Sequence, residues 1–319
     1  MCFTPKNIKQ SISHIFYKQI IQNQSKSKDI KLGVLLSVFG ALLLSTKGIF
    51  AKILYAEGAD YVSVTMIRSV LSLPLFWFWF ILKRNVDVRN VPRKAFWGAF
   101  FAGFLCYYIG AMVNFYALTL IDANLERLIL YSFPAIVVVL SSLIQKKMPS
   151  LIVITSLIII YCGLFLAIGG INKDLFLSNI FGVSLVMLSA ISISIYFLFN
   201  EKYGNTIGSI SFTTIAMTAA TFGLVMHSLI SNNYYWFNWS LNMWKTMFLL
   251  VTISTTIPLF MIAEGINKAG ASISSIGTTV GPPSTILIAW LVLGETMTID
   301  QIFGSLLILI GVIFLQKKN

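Results

Sequence analysis

The stretch Ala123-Asn124-Leu125-Glu126-Arg127-Leu128-Ile129-Leu130-Tyr131-Ser132-Phe133-Pro134 returns 148 residues later as Ala271-Ser272-Ile273-Ser274-Ser275-Ile276-Gly277-Thr278-Thr279-Val280-Gly281-Pro282, with Pro283 behind it. Both copies open on small residues, continue as an apolar helix and meet a proline. Gly163 and Gly311 keep the same spacing further on. Working outward, the first copy reads as five apolar spans at 32–54, 62–82, 95–117, 123–144 and 151–169. The second reads as five more at 178–200, 209–230, 244–263, 271–293 and 300–316. Each is close to the roughly 20 residues that cross a bilayer as helix. An odd number of spans per copy makes the second copy enter the membrane upside down. The expectation is an all-α integral membrane protein whose ten transmembrane helices form two inverted five-helix repeats. Residues 1–31 are a tail, 32–169 the first repeat and 178–316 the second. Inverted repeats around a midplane site point to a secondary transporter.

Composition agrees with that solvent. Hydrophobic residues make up 57% of the chain and charged ones 11%, with a mean hydropathy of +0.84. Soluble domains carry about 25% charged residues. The net charge of +12 reads as topology, not as nucleic-acid binding. With both termini in the cytoplasm, the basic residues of Lys6–Lys31, of the Lys83–Lys94 connection, and Lys146, Lys147, Lys202, Lys268, Lys317 and Lys318 all fall on the inner side. Only Lys173 and Lys245 fall outside, as the positive-inside rule requires. The tail has helically spaced Ile8, Ile12, Ile15, Phe16 and Ile20 among lysines. It reads either as a helix on the anionic inner leaflet or as a disordered segment. The aromatic run 234–239 reads as an interfacial anchor. Cys2, Cys106 and Cys162 have no metal or redox spacing, and no metal or cofactor is expected.

An ionisable residue inside a span is costly to bury and marks a functional hypothesis. Here these are Lys47, Lys52, Arg68, Glu126, Arg127 and His227. Lys52 lies near a helix end and can snorkel; Lys47 and Arg68 lie deeper. Glu126 and Arg127 point about 100° apart, so they make a poor local pair, yet both fit the inward arc of one helix. Tyr131 continues that arc, and Ser274 and Thr278 are its equivalents in the second copy. Asn114 and Tyr116 reach toward the same space from the preceding helix. Positive charge outnumbers Glu126, so an anionic or zwitterionic small molecule is the expected partner. The alternative is that Glu126 pairs with Lys47 or Arg68 only to hold helices together. Pro134, Pro282 and Pro283 are expected to kink their helices, as static packing or as hinges. Gly33, Gly40, Gly304 and Gly311 permit close helix contact, and Glu264 with Lys268 forms an i,i+4 surface pair.

Three motifs together carry a resemblance. Asn114-Phe115-Tyr116-Ala117-Leu118 leads into Ala123–Pro134; Ala271–Ile276 leads to Pro282 and then Leu293-Gly294-Glu295-Thr296; and Arg68 stands early in the second span. The chain resembles the drug/metabolite transporter superfamily, in particular its EamA-type ten-helix members. The first copy departs from the pattern with Lys146-Lys147 where the second has Gly294-Glu295. The resemblance implies a cavity between the halves, alternating access, and coupling to an ion or a counter-substrate. It implies export of amino acids or related metabolites, or else uptake or exchange of a larger anionic metabolite such as a nucleotide-linked compound. A compact chain without a sorting signal is expected in a bacterial inner membrane, with a eukaryotic origin as the alternative. No Gly-rich phosphate-binding loop, catalytic motif or metal-ligand spacing is present, which argues against a pump or an enzyme. A non-transporting scaffold and a channel stay as rivals.

Overall fold

The computed structural model describes residues 28–82, 91–117, 120–121, 126, 129–167, 180–230, 238–293 and 297–317. Among these no strand occurs, and helix follows helix. In chain order they are α1 (Lys28–Ala56, with a turn at Thr46), α2 (Tyr61–Leu82), α3 (from Arg93 to Ala117), α4 (Phe133–Gln145), α5 (Leu151–Ala167), α6 (Ile180–Ile207), α7 (Ser209–Ile230), α8 (Leu241–Ala269), α9 (from Ala271 to Leu293) and α10 (Ile299–Lys317). Seven are long and apolar enough to cross a membrane; α4, α5 and the described apolar part of α10 are shorter. Most of the tail, Arg127, Gly294-Glu295 and the aromatic run up to Phe237 lie outside the described residues. The Trp239 ring, just beyond that run, packs on Trp244 with centroids 5.6 Å apart.

The packing maps onto itself when the two halves are exchanged. The pairs α2 with α7, α4 with α9 and α5 with α10 are each in contact. So are α3 with α6, and α8 with α1. Swapping the first five helices for the last five leaves the first three pairs unchanged and exchanges the other two. Local irregularities repeat as well. The π-helical segment Phe104–Gly110 of α3 and the segment Thr252–Thr256 of α8 begin 148 residues apart. The turn at Tyr131–Ser132 before α4 corresponds to the 3-10 segment Thr278–Val280 within α9.

Large apolar side chains cover the outside. Phe78, Trp79, Ile81, Leu143, Ile144, Trp290, Leu291 and Phe303 are all exposed, an inside-out distribution that suits lipid contact and not water. The interior is drawn tight by small residues. A Cβ on Gly304 of α10 would stand 2.4 Å from Ala167 N and 2.5 Å from Gly163 O of α5. Gly33 and Gly40 of α1 meet α8 at Ala269 and at Pro258 O and Ile262, and Gly311 meets Ile160. Close backbone approach is the interhelical attraction available where lipid tails are as apolar as leucine.

Gly304→Ala is therefore expected to force α5 and α10 apart and to cost about 1–3 kcal/mol, read as a lowered unfolding temperature of the purified protein in detergent. Leu306→Ala, on an exposed face of the same helix, should change it little. Equal unfolding temperatures for both would show that the two backbones are not in contact.

Candidate functional site

Three helices are broken at matching depths, and the breaks face one another. α1 turns at Thr46, α9 tightens at Thr278–Val280, and α4 begins after the Tyr131–Ser132 turn. The proline reading from sequence needs correcting in form. Pro134 is the second residue of α4, and Pro282 and Pro283 follow Gly281, which opens the second half of α9. They start new helical segments instead of kinking continuous ones, because a first-turn residue has no intrahelical partner for the N–H that proline lacks.

Hydroxyls hold these breaks together across the halves. Ser45 Oγ on α1 faces Ala41 O at 2.7 Å and Gly281 O of α9 at 3.0 Å. Ser194 Oγ on α6 faces Ala190 O at 2.8 Å and Phe133 O of α4 at 3.1 Å. Phe133 and Gly281 are repeat equivalents, each directly before a proline, so the same contact is made once per half. Tyr161 of α5 clips the α4 break: its hydroxyl donates to Tyr131 O at 2.9 Å and accepts from Ala135 N at 3.2 Å. That supplies an orphan N–H of the first helical turn. Thr46 and Ser254 hydroxyls meet between α1 and α8.

Around the breaks the residues singled out from sequence divide into two groups. Toward the end of the bundle where α1 finishes, at Ala56, lie Asn114, Glu126, Lys47 and Arg68. Asn114 Nδ2 donates to Glu126 Oε1 at 2.7 Å, and Glu126 is only 6% exposed. Lys47 follows the Thr46 turn and lies within electrostatic reach of Glu126, Arg68 and Cys106. Arg68, on α2, is in reach of Tyr55 and Tyr107. Both cations are half-buried, and among the described residues neither has a carboxylate at ion-pair distance. Tyr131 packs on Phe133 at 5.9 Å and brings its hydroxyl against Gly281.

Ser274 and Thr278 do not join that group. Ser274 Oγ meets Ser37 Oγ at 2.6 Å, and Thr278 Oγ1 donates to Ser275 O at 2.7 Å. Ser37 stands ten residues before Lys47 on α1, about 15 Å by helical rise. Ser274 thus belongs to the Lys28 end, where Ser37, Ser274 and Ser275 are fully buried. Here Lys268 pairs with Glu264, as its spacing indicated, and equally with Asp29, both at 3.6 Å. Tyr116 is half exposed and stands away from the interior. The sequence reading missed Ser45, Ser194 and Tyr161. The first two stand 149 residues apart, one more than the α4/α9 offset, so a fixed-offset comparison passes over them.

Comparison with known proteins agrees with this architecture. The profile of the EamA-like transporter family matches residues 31–169 and again 180–316. The uncharacterized transporter YcbK of Bacillus subtilis (strain 168) is 28% identical over 287 residues, 89% of this chain and 92% of that protein. The uncharacterized transporter sll1319 of Synechocystis sp. is 24% identical over 322 residues, spanning 90% of this chain and 94% of its own. A solved crystal structure superposes with a TM-score of 0.73 over 88% of this chain and 95% of its own, at 15% identity, which bears on the fold.

The Asn114–Glu126 contact is open to a double-mutant cycle. Asn114→Leu alone should destabilise the protein by about 1–3 kcal/mol, since it removes a hydrogen bond to a buried carboxylate. Adding Glu126→Leu should recover part of that loss, with a coupling energy of about 0.5–3 kcal/mol in chemical unfolding. Strict additivity would show that the two side chains act independently.

Proposed function

The chain belongs to the EamA-like transporter family of multi-pass membrane proteins, and from that premise we propose that it is a secondary active transporter of small polar metabolites working by alternating access. The ten helices act as two inverted repeats, 32–169 and 178–316, with both termini and the Lys28 end in the cytoplasm of a bacterial cell. The substrate is an amino acid or a related metabolite, carried outward. The observation that supports this most is the pair Lys47 and Arg68. Two half-buried cations stand without an ion-pair partner among the described residues, while Asn114 engages Glu126. A substrate carboxylate supplies what they lack through charge-assisted hydrogen bonds, and Glu126 is placed to receive an ammonium group. Arg127, one residue on, adds to the basic side of the same site.

Movement comes from the broken helices. Pro134, Pro282 and Pro283 serve as hinge residues, and Tyr131, Ser274 and Thr278 line the path on the two sides of the pseudo-twofold axis. The tight contacts Ser37–Ser274 and Gly33–Ala269 close the Lys28 end, so substrate meets Lys47 and Arg68 from the opposite side in this conformation. A second reading is favoured by the same two cations: exchange or uptake of a larger anionic metabolite, such as a nucleotide-linked compound, which needs both cations and not Glu126.

Counterflow in proteoliposomes with a mixed pool of labelled amino acids, nucleotides and organic anions separates these readings. Saturable exchange of one class is expected. Lys47→Gln or Arg68→Gln should raise KM about tenfold or more, in line with a lost charged hydrogen bond. Glu126→Gln should impair amino-acid exchange and spare that of a purely anionic solute, and Arg127→Gln should weaken either. Wild-type exchange that survives all four substitutions would remove the site from this end of the bundle, and flux that does not saturate would indicate a channel.

A further inference from the structure

Near the Lys28 end, α6 passes into π-helical pitch at Asn200–Gly204 before finishing at Ile207. Single π turns inside α-helices are frequent at functional sites. Asn200 is fully buried, and among the described residues neither its amide oxygen nor its amide nitrogen has a hydrogen-bond partner. The amide oxygen of Asn267, on the last turn of α8, is buried and equally without a partner. These groups converge on one spot. The Asn200 and Asn267 oxygens lie 2.4 and 2.5 Å from the point where a Cβ on Gly204 would stand, which places them within reach of a single ion. Buried amide groups are otherwise hydrogen-bonded almost without exception.

The surroundings select the ligand. α6 and α8 both end here with partial negative charge that favours a cation, and the helix N-termini beside them, at Ser209 of α7 and Ala271 of α9, have the carboxylates of Glu264 and Glu201 against them. Two of the three unpartnered atoms are neutral amide oxygens, which suit a monovalent hard cation, the third being the Asn200 amide nitrogen; a divalent ion is ordinarily held by several carboxylates. The nearby carboxylates are already engaged. Glu264 accepts from the Ser209 hydroxyl and pairs with Lys268, and Glu201 accepts from the first N–H of α9, at Ala271. Among the described residues no group of three or more His, Cys, Asp or Glu comes together as a metal cluster.

We propose that Asn200 and Asn267 form a binding site for a monovalent cation of the sodium class. Its use as the coupling ion rests on the transporter reading above; its binding does not. The site lies within the second half, between α6 and α8, and α8 is the helix whose Ala269 meets Gly33 of α1 at the Lys28 end.

The test is equilibrium binding of radioactive sodium to the purified full-length protein in detergent, with unfolding followed by tryptophan fluorescence in sodium chloride and in choline chloride of equal ionic strength. Saturable binding and a sodium-specific rise in unfolding temperature are expected. Asn200→Leu and Asn267→Leu, which keep side-chain volume, should lose affinity by about tenfold or more. Gly204→Ala should do the same, because its Cβ would stand between the two oxygens. Absence of saturable binding by the wild-type protein overturns the proposal whatever the variants do. So does wild-type affinity in the Asn200→Leu/Asn267→Leu protein, which would reduce the two amides to packing. Sodium binding without exchange of any solute in proteoliposomes would uphold the site and refute the carrier reading. Solute exchange by a protein that binds no sodium would do the reverse.

Discussion

Hydrocarbon offers no hydrogen bonds, so every backbone N–H and C=O at membrane depth needs a partner within the protein. Everything irregular in this molecule is arranged around that requirement. Helix breaks at Thr46, Tyr131–Ser132 and Thr278–Val280 would each expose backbone polar groups. The α9 break is met by Ser45 of α1 and the α4 break by Ser194 of α6 and Tyr161 of α5, while at the α1 break the Thr46 hydroxyl donates to Leu43 O of its own helix. The prolines lessen the demand, since a residue without an N–H removes one donor where a helix begins.

The same requirement explains where charge sits. Burying an ionisable group is tolerable when a partner or a wet cavity compensates. At the Ala56 end, Glu126 has the Asn114 amide, while Lys47 and Arg68 keep part of their surface open. At the Lys28 end the ions pair among themselves, Lys268 with Asp29 and Glu264. Among the described residues the cations of the two ends therefore differ, paired with carboxylates at the Lys28 end and not at the Ala56 end. The two ends thus differ in a chain whose helices pack symmetrically.

Much of the fold was legible because apolar length and proline position are one-dimensional signals. The duplication around Pro134 and Pro282, the apolar segments, the close contact at Gly304 and the Glu264–Lys268 pair could be read residue by residue. Glu126 and Asn114 were both identifiable as polar residues at depth, though their mutual bond depends on how two helices rotate. The π segments were not legible, since Phe104–Gly110 reads as ordinary apolar helix and the Asn-Glu-Lys-Tyr-Gly of Asn200–Gly204 reads as an ordinary polar helix end. Nor was the separation of Ser274 from Glu126. Equivalent positions in an inverted repeat fall at opposite depths when they lie away from the midplane, and the offset alone does not say how far away they lie.

Ser45 and Ser194 each hold one proton between two carbonyls, one on their own helix and one on the opposing half. A hydroxyl so placed can turn from one acceptor to the other without ever losing a partner. A shift of either half at these points would leave the hydroxyl satisfied by its own helix. A rigid amide crosslink at either position would have to break before anything moved. One such two-acceptor hydroxyl stands in each half, so the contact between the halves is made twice in the same form.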